Sequence, residues 1–158
     1  MKRAGFLAVA LAATVLGAAT AASASPAVPI TLSESLDFVR PPGEPAVGTF
    51  TLAGLGVCAS GTSVDSLVSF NHDFTRIVIQ RRYTCADGAG GFSALQVLTL
   101  DADPATQTES VSGAWVIHDG SGSLTQLHGA GRTQGVNVQC NPRCTGGTAT
   151  VEAVAHLN

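Results

Sequence analysis

Past its second residue the chain contains no lysine, and this absence narrows the range of partners. Beyond a candidate leader the basic residues are Arg40, Arg76, Arg81, Arg82, Arg132 and Arg143, against eleven acids, a balance near −5. A mildly acidic product of this kind is not expected to bind nucleic acid or an anionic membrane. Apolar residues recurring every 3.6 positions over ten residues or more, the mark of an amphipathic helix, are also missing after the leader. So are internal repeats of solenoid type. There is no Gly-x-Ser-x-Gly elbow to present a serine nucleophile, and the one glycine-dense stretch lacks the lysine and following helix of a phosphate loop. No two histidines stand two apart on a candidate strand, and none pairs with a carboxylate at a recognised ligand spacing. No cofactor and no metal are expected, although histidines can still converge in space.

The first residues read as an export signal. Lys2 and Arg3 precede an uncharged, small-apolar run from Ala4 to Ala22, and Ala22-Ser-Ala24 fits the small-residue cleavage rule. The run is long enough to raise a membrane span, but it is rich in Ala and Gly, and no basic stop-transfer cluster follows. Residues 1–24 are therefore expected to be a signal peptide, with a single secreted domain over 25–158 and no membrane association after cleavage. An exported chain with an even set of cysteines, Cys58, Cys85, Cys140 and Cys144, reads as a disulfide framework. Three pairings are possible. Cys140-Asn-Pro-Arg-Cys144 is a short loop in which Pro142 and the local turn favour closure, leaving Cys58 for Cys85. The rival, a four-cysteine zinc site, lacks the paired short knuckles such sites show.

What remains is rich in Gly, Thr, Ser, Ala and Val, a composition of short strands and turns. Ile30–Phe38, Val47–Leu52, Ser63–Phe70, Thr75–Thr84, Phe92–Leu100, Val111–His118, Gly129–Val138 and Gly147–Leu157 read as eight strands. Pro41-Pro42-Gly43 and Pro45 deny a ladder its donors and mark a loop. Asn71-His72-Asp73 and Asp101–Ala105 are turns, and Asp119–Ser123 reads as a glycine-rich corner followed by one apolar turn, Leu124–Leu127. An all-β antiparallel barrel of roughly eight strands is expected, with a β-sandwich as the alternative.

Two stretches resemble a known group. Trp115 to Gly131, which holds the only tryptophan, resembles a Trp-x-Val-x-x-Gly-Thr-Gly corner that recurs in exported actinobacterial β-barrel proteins. The same corner occurs more loosely in allene oxide cyclase and dirigent-type barrels. Ile117, Ser121 and Leu124 replace its usual valine, threonine and aromatic. Tyr83 to Phe92 resembles the Cys-x-Asp-Gly-x-Gly-x-Phe hairpin of the same exported proteins. The resemblance implies an eight-stranded barrel whose interior holds a small hydrophobic or phenolic ligand. No catalytic residue carries over.

Four residues are candidates for ligand contact. Alternation places Ile77, Ile79, Arg81 and Tyr83 on one face. If that face is interior, Arg81 needs a buried partner or clamps a ligand carboxylate. Trp115 is a core aromatic or a ligand platform. His118 with Asp119 suggests an acid–base pair, though neighbouring strand residues point to opposite faces. The functional expectation is a secreted, disulfide-stabilised barrel binding a small, partly apolar ligand without catalysis. The alternatives are a cyclase or isomerase of the allene oxide cyclase type and a surface protein-interaction module.

Overall fold

A computed structural model describes residues 26–41, 44–141 and 143–158. The candidate signal peptide, the Pro42-Gly43 part of the first loop and Pro142 lie outside the described residues.

Eight strands follow one another: β1 (Val28–Asp37), β2 (Val47–Ala53), β3 (Ser60–Phe70), β4 (Arg76–Cys85), β5 (Gly90–Asp103), β6 (Thr108–Gly122), β7 (Leu127–Val138) and β8 (Gly146–Leu157). Each pairs antiparallel with the next, and β1 pairs with β8 from Val28–Ala155 to Asp37–Gly146, so the sheet closes on itself. The barrel expectation holds, and the sandwich falls away. Closure removes the exposed edges that would template aggregation. The described residues contain no helix long and apolar enough to cross a membrane.

Period-2 alternation puts one face of each strand inside. Ile30 and Leu32 of β1, Phe50 and Leu52 of β2, Tyr83 of β4, Phe92 of β5, Trp115 and Ile117 of β6 and Val151 of β8 are buried together. The outward positions are largely threonine, serine, glutamine and arginine, as along Thr31, Ser33 and Ser35 or Gln80, Arg82 and Thr84. This is the inverse of the apolar-out, polar-in pattern of a membrane barrel. Trp115 fits because the positions beside it on β7 and β8 are small. It pairs with Gly131, which pairs with Ala153. A Cβ on Gly131 would lie 2.4 Å from that of Ala153.

The expected corner at Asp119–Ser123 is not a corner. β6 runs on to Gly122, pairing with β5 through Ser121–Gly91 and Gly122–Gly90, and the turn comes after it, over Ser123–Gln126. Glycine makes this possible: Gly90 and Gly122 adopt φ of 119° and 63°, values that L side chains resist. A bulge between Ser93 and Ala94, opposite Asp119 and Ile117, leaves His118 as the extra residue. A second bulge between Leu67 and Ser69 leaves Val68 unpaired and keeps Phe70 in register with Ile77.

Both favoured disulfides are present. Cys58–Cys85 ties the β2–β3 loop to the end of β4, and Cys140–Cys144 closes the β7–β8 loop at the other end.

Candidate functional site

The barrel interior is graded along its axis. At the end carrying the β2–β3, β4–β5 and β6–β7 turns, aromatic side chains fill it. Tyr83 and Phe92 stack at 4.5 Å, and Phe50 meets Tyr83 edge-on at 5.2 Å. Phe92 meets Trp115 edge-on at 6.3 Å, while Leu124 and Leu127 cap the stack from the β6–β7 turn. This end is sealed.

A polar layer crosses the middle. Arg81 engages Asp65 through Nε and through Nη2, the latter at 2.6 Å, and engages Glu34 through Nη1. The Tyr83 hydroxyl donates to Glu34 at 2.6 Å and accepts from the Trp115 indole at 3.3 Å and from Gln96 at 3.4 Å. Thr133 donates to the Gln96 carbonyl at 3.3 Å. The network draws on β1, β3, β4, β5, β6 and β7. Ser63, buried in the same layer, has a hydroxyl with no partner among the described residues.

Burial prevails in the titration of the acid and the phenol of this layer. It pushes the Glu34 carboxyl above its ordinary value, against the pull of Arg81 and the Tyr83 hydrogen bond. Burial and then the Glu34 charge push the Tyr83 phenol well up. For Arg81 burial works against the charge. The Asp65 hydrogen bonds and the Glu34 and Asp65 charges outweigh it and hold the guanidinium charged.

Above the polar layer the interior opens. A cavity of about 80 Å3 is walled by Leu36, Ile79, Leu98, Val111 and Ala149 and floored by Arg81, Gln96 and Thr133, with Asp65 at its side. The β3–β4 hairpin turns at this same end of the barrel. Leu67 and Phe70 are in register with Ile79 and Ile77, which line the cavity. Phe70 stacks on Phe74 at 4.2 Å, yet Leu67, Phe70 and Phe74 are each more than half exposed. Phe74 holds φ at 57°, a left-handed value uncommon for a bulky residue. The turn is fixed by Asn71, which accepts the Arg76 amide at 2.7 Å and donates to the Thr75 hydroxyl at 2.9 Å.

The four candidate residues part company here. Arg81, Tyr83 and Trp115 converge in one network, but on one another. Tyr83 and Trp115 are fully buried in the sealed half, and only Arg81 reaches the cavity floor. His118 is outside the barrel, its ring 3.2 Å from the Gln80 amide. It does not pair with Asp119, whose carboxylate accepts the Gly120 amide at 2.9 Å. Sequence reading passed over Glu34, Asp65, Gln96 and the Leu67–Phe70–Phe74 lip. Glu34 is in phase with Ile30, Leu32 and Leu36, and that alternation already placed a carboxylate inside.

The chain is thus a closed, antiparallel, eight-stranded up-and-down barrel with two disulfides, one end plugged by aromatics and the other open over a charged floor. No family model, no curated protein and no solved structure matches it.

Proposed function

We propose that this is a secreted, non-catalytic barrel that binds a small, partly apolar molecule at its open end. The observation that carries the reading is an apolar-walled recess above a buried polar floor, with solvent-exposed Leu67 and Phe70 in register with Ile79 and Ile77 of its wall. Pockets that combine apolar walls with a few converging polar groups are the usual form of small-molecule sites. At about 80 Å3 the recess admits one end of a ligand, well short of the ~300 Å3 that would enclose a whole drug-sized molecule. The remainder would lie along Leu67, Phe70 and Phe74. Backbone strain of the kind held at Phe74 gathers at ligand clamps and costs about 1–3 kcal/mol.

The floor also indicates the head group. Asp65 and Glu34 already engage all three nitrogens of Arg81, so a ligand carboxylate would meet a guanidinium whose charge two acids already share. A neutral hydrogen-bond donor or an amine is favoured over an acid. Export fits both the small-apolar leader and the two disulfides, which persist in oxidising compartments. The resemblance to allene oxide cyclase and dirigent-type barrels supports a ligand-holding interior. A cyclase role has no specific observation in its favour, since the buried acid Glu34 and phenol Tyr83 of the polar layer are engaged with each other.

Native mass spectrometry of the protein from its host's medium tests this reading. The expected species starts near Ser25 or Pro26, lacks the four hydrogens of two disulfides, and carries a small mass that denaturation releases. A chain that keeps residues 1–24 contradicts export. A chain that is bare, and stays bare after incubation with an extract of that medium, contradicts ligand binding.

A further inference from the structure

On the outer wall, away from the mouth, β7 and β8 bring together two histidines that lie far apart in sequence. His128 is the direct cross-strand partner of His156. Their rings lie nearly parallel, 28° between planes and 5.4 Å between centroids. Directly opposed residues of an antiparallel pair hold their Cβ atoms ~4.5–5.5 Å apart, so the ladder itself sets this spacing. His118 has its ring held on Gln80. In contrast, neither His128 nor His156 is engaged by a protein hydrogen bond among the described residues. The next pair on the same face is Ala130–Val154, and the first charges, Arg132 and Glu152, come one pair further. Along β7 and β8, no charged side chain therefore stands in the pair next to the imidazoles.

We propose that His128 and His156 form a two-imidazole site for a divalent transition-metal ion, with water completing its coordination. Neutral imidazole suits Cu2+, Ni2+ and Zn2+, with Cu2+ held most tightly of these. Metal–nitrogen distances of ~2.0–2.1 Å require the two donor nitrogens to approach to about 3 Å. The rings stack with their lone pairs side by side, so both imidazoles must turn about their side-chain bonds to converge on one ion, and the cross-strand pairing places them within reach of it. The alternative is a pair that only stacks, and such a pair has no reason to prefer a metal ion.

The test is titration of the oxidised mature protein with Cu2+, followed by calorimetry and by electron paramagnetic resonance. One equivalent is expected, with nitrogen hyperfine structure from two imidazoles. His128→Asn and His156→Asn should each weaken binding at least ~10-fold. His72→Asn, in the β3–β4 turn, and His118→Asn should bind as the parent does. The near-ultraviolet signal of buried Trp115 checks that each variant is folded. Absence of binding at submillimolar Cu2+ overturns the proposal. So does binding that survives in the His128→Asn/His156→Asn protein, or that is lost only with His72 or His118.

Discussion

The two ends of this barrel are built from the same alternating strands but put their apolar residues to opposite use. At the sealed end, Phe50, Tyr83, Phe92 and Trp115 turn inward and touch one another, and each is under 4% exposed. At the open end, Leu67, Phe70 and Phe74 are just as apolar but remain more than half exposed. Burial of an aromatic side chain stabilises a fold through the area it removes from water. Exposure of one in a strained turn does not, and so calls for a purpose other than folding. The polar layer of Glu34, Asp65, Arg81 and Gln96 divides the two regimes.

The sharpest way to break the comparison is to empty the sealed end. Trp115→Ala should cost about 3–5 kcal/mol, read as a lowered urea midpoint. A loss under ~1 kcal/mol would mean that the plug does not carry the stability.

The disulfides give a second contrast. Replacing Cys58 and Cys85 by serine opens a span of 27 residues at the sealed end, with an expected loss of about 3–4 kcal/mol. The same change at Cys140 and Cys144 opens a span of 4 and should cost about 2 kcal/mol. Thermal melts of the two variants would show the order, and an inverted order would contradict it.

The dividing layer makes a pH prediction. Glu34 has its folded-state value raised above the unfolded one, chiefly by burial. The native state therefore holds this proton more tightly. Its contribution is fully present below the unfolded carboxyl value and is lost as pH rises through the higher folded one. Urea midpoints of the native protein should fall over that window, and Glu34→Gln should flatten the slope. An unchanged slope would remove Glu34 from the account.

The smallest effect on folding is expected at the lip. Phe74→Gly relieves a left-handed backbone, worth ~1–2 kcal/mol, but loses the stack on Phe70, worth ~0.5–1.5 kcal/mol. Stability should change by no more than about 1 kcal/mol, while ligand retention falls.

Eight strands were readable because buried strands leave an alternating record in the sequence. One feature misled that reading near the signature tryptophan. Asp, Gly and Ser are turn formers in isolation, yet Gly120 and Gly122 run in a ladder against Phe92 and Gly90 of β5, and a Cβ on Gly122 would lie 2.4 Å from the Ala89 carbonyl oxygen. Phase alone placed Arg81 inside, but not its partners. Glu34 is 47 residues away on β1, and only closure of the barrel brings the two together. The register of β7 on β8, likewise invisible in the chain, is what joins His128 to His156. Tyr83 and Trp115 were visible as interior residues, whereas their place in the plugged half depends on which end the aromatics of β2, β4, β5 and β6 share.

Methyl NMR during a titration with hexylamine, hexanol and hexanoate, three ligands of one chain length, tests the central claim most directly. Shifts at Ile77, Ile79, Leu98 and Val111 with the amine and alcohol, little response to the acid, and silence at Ile117, Leu124 and Leu127 are predicted. Shifts confined to the sealed end, or no shift anywhere with any of the three, would contradict the account.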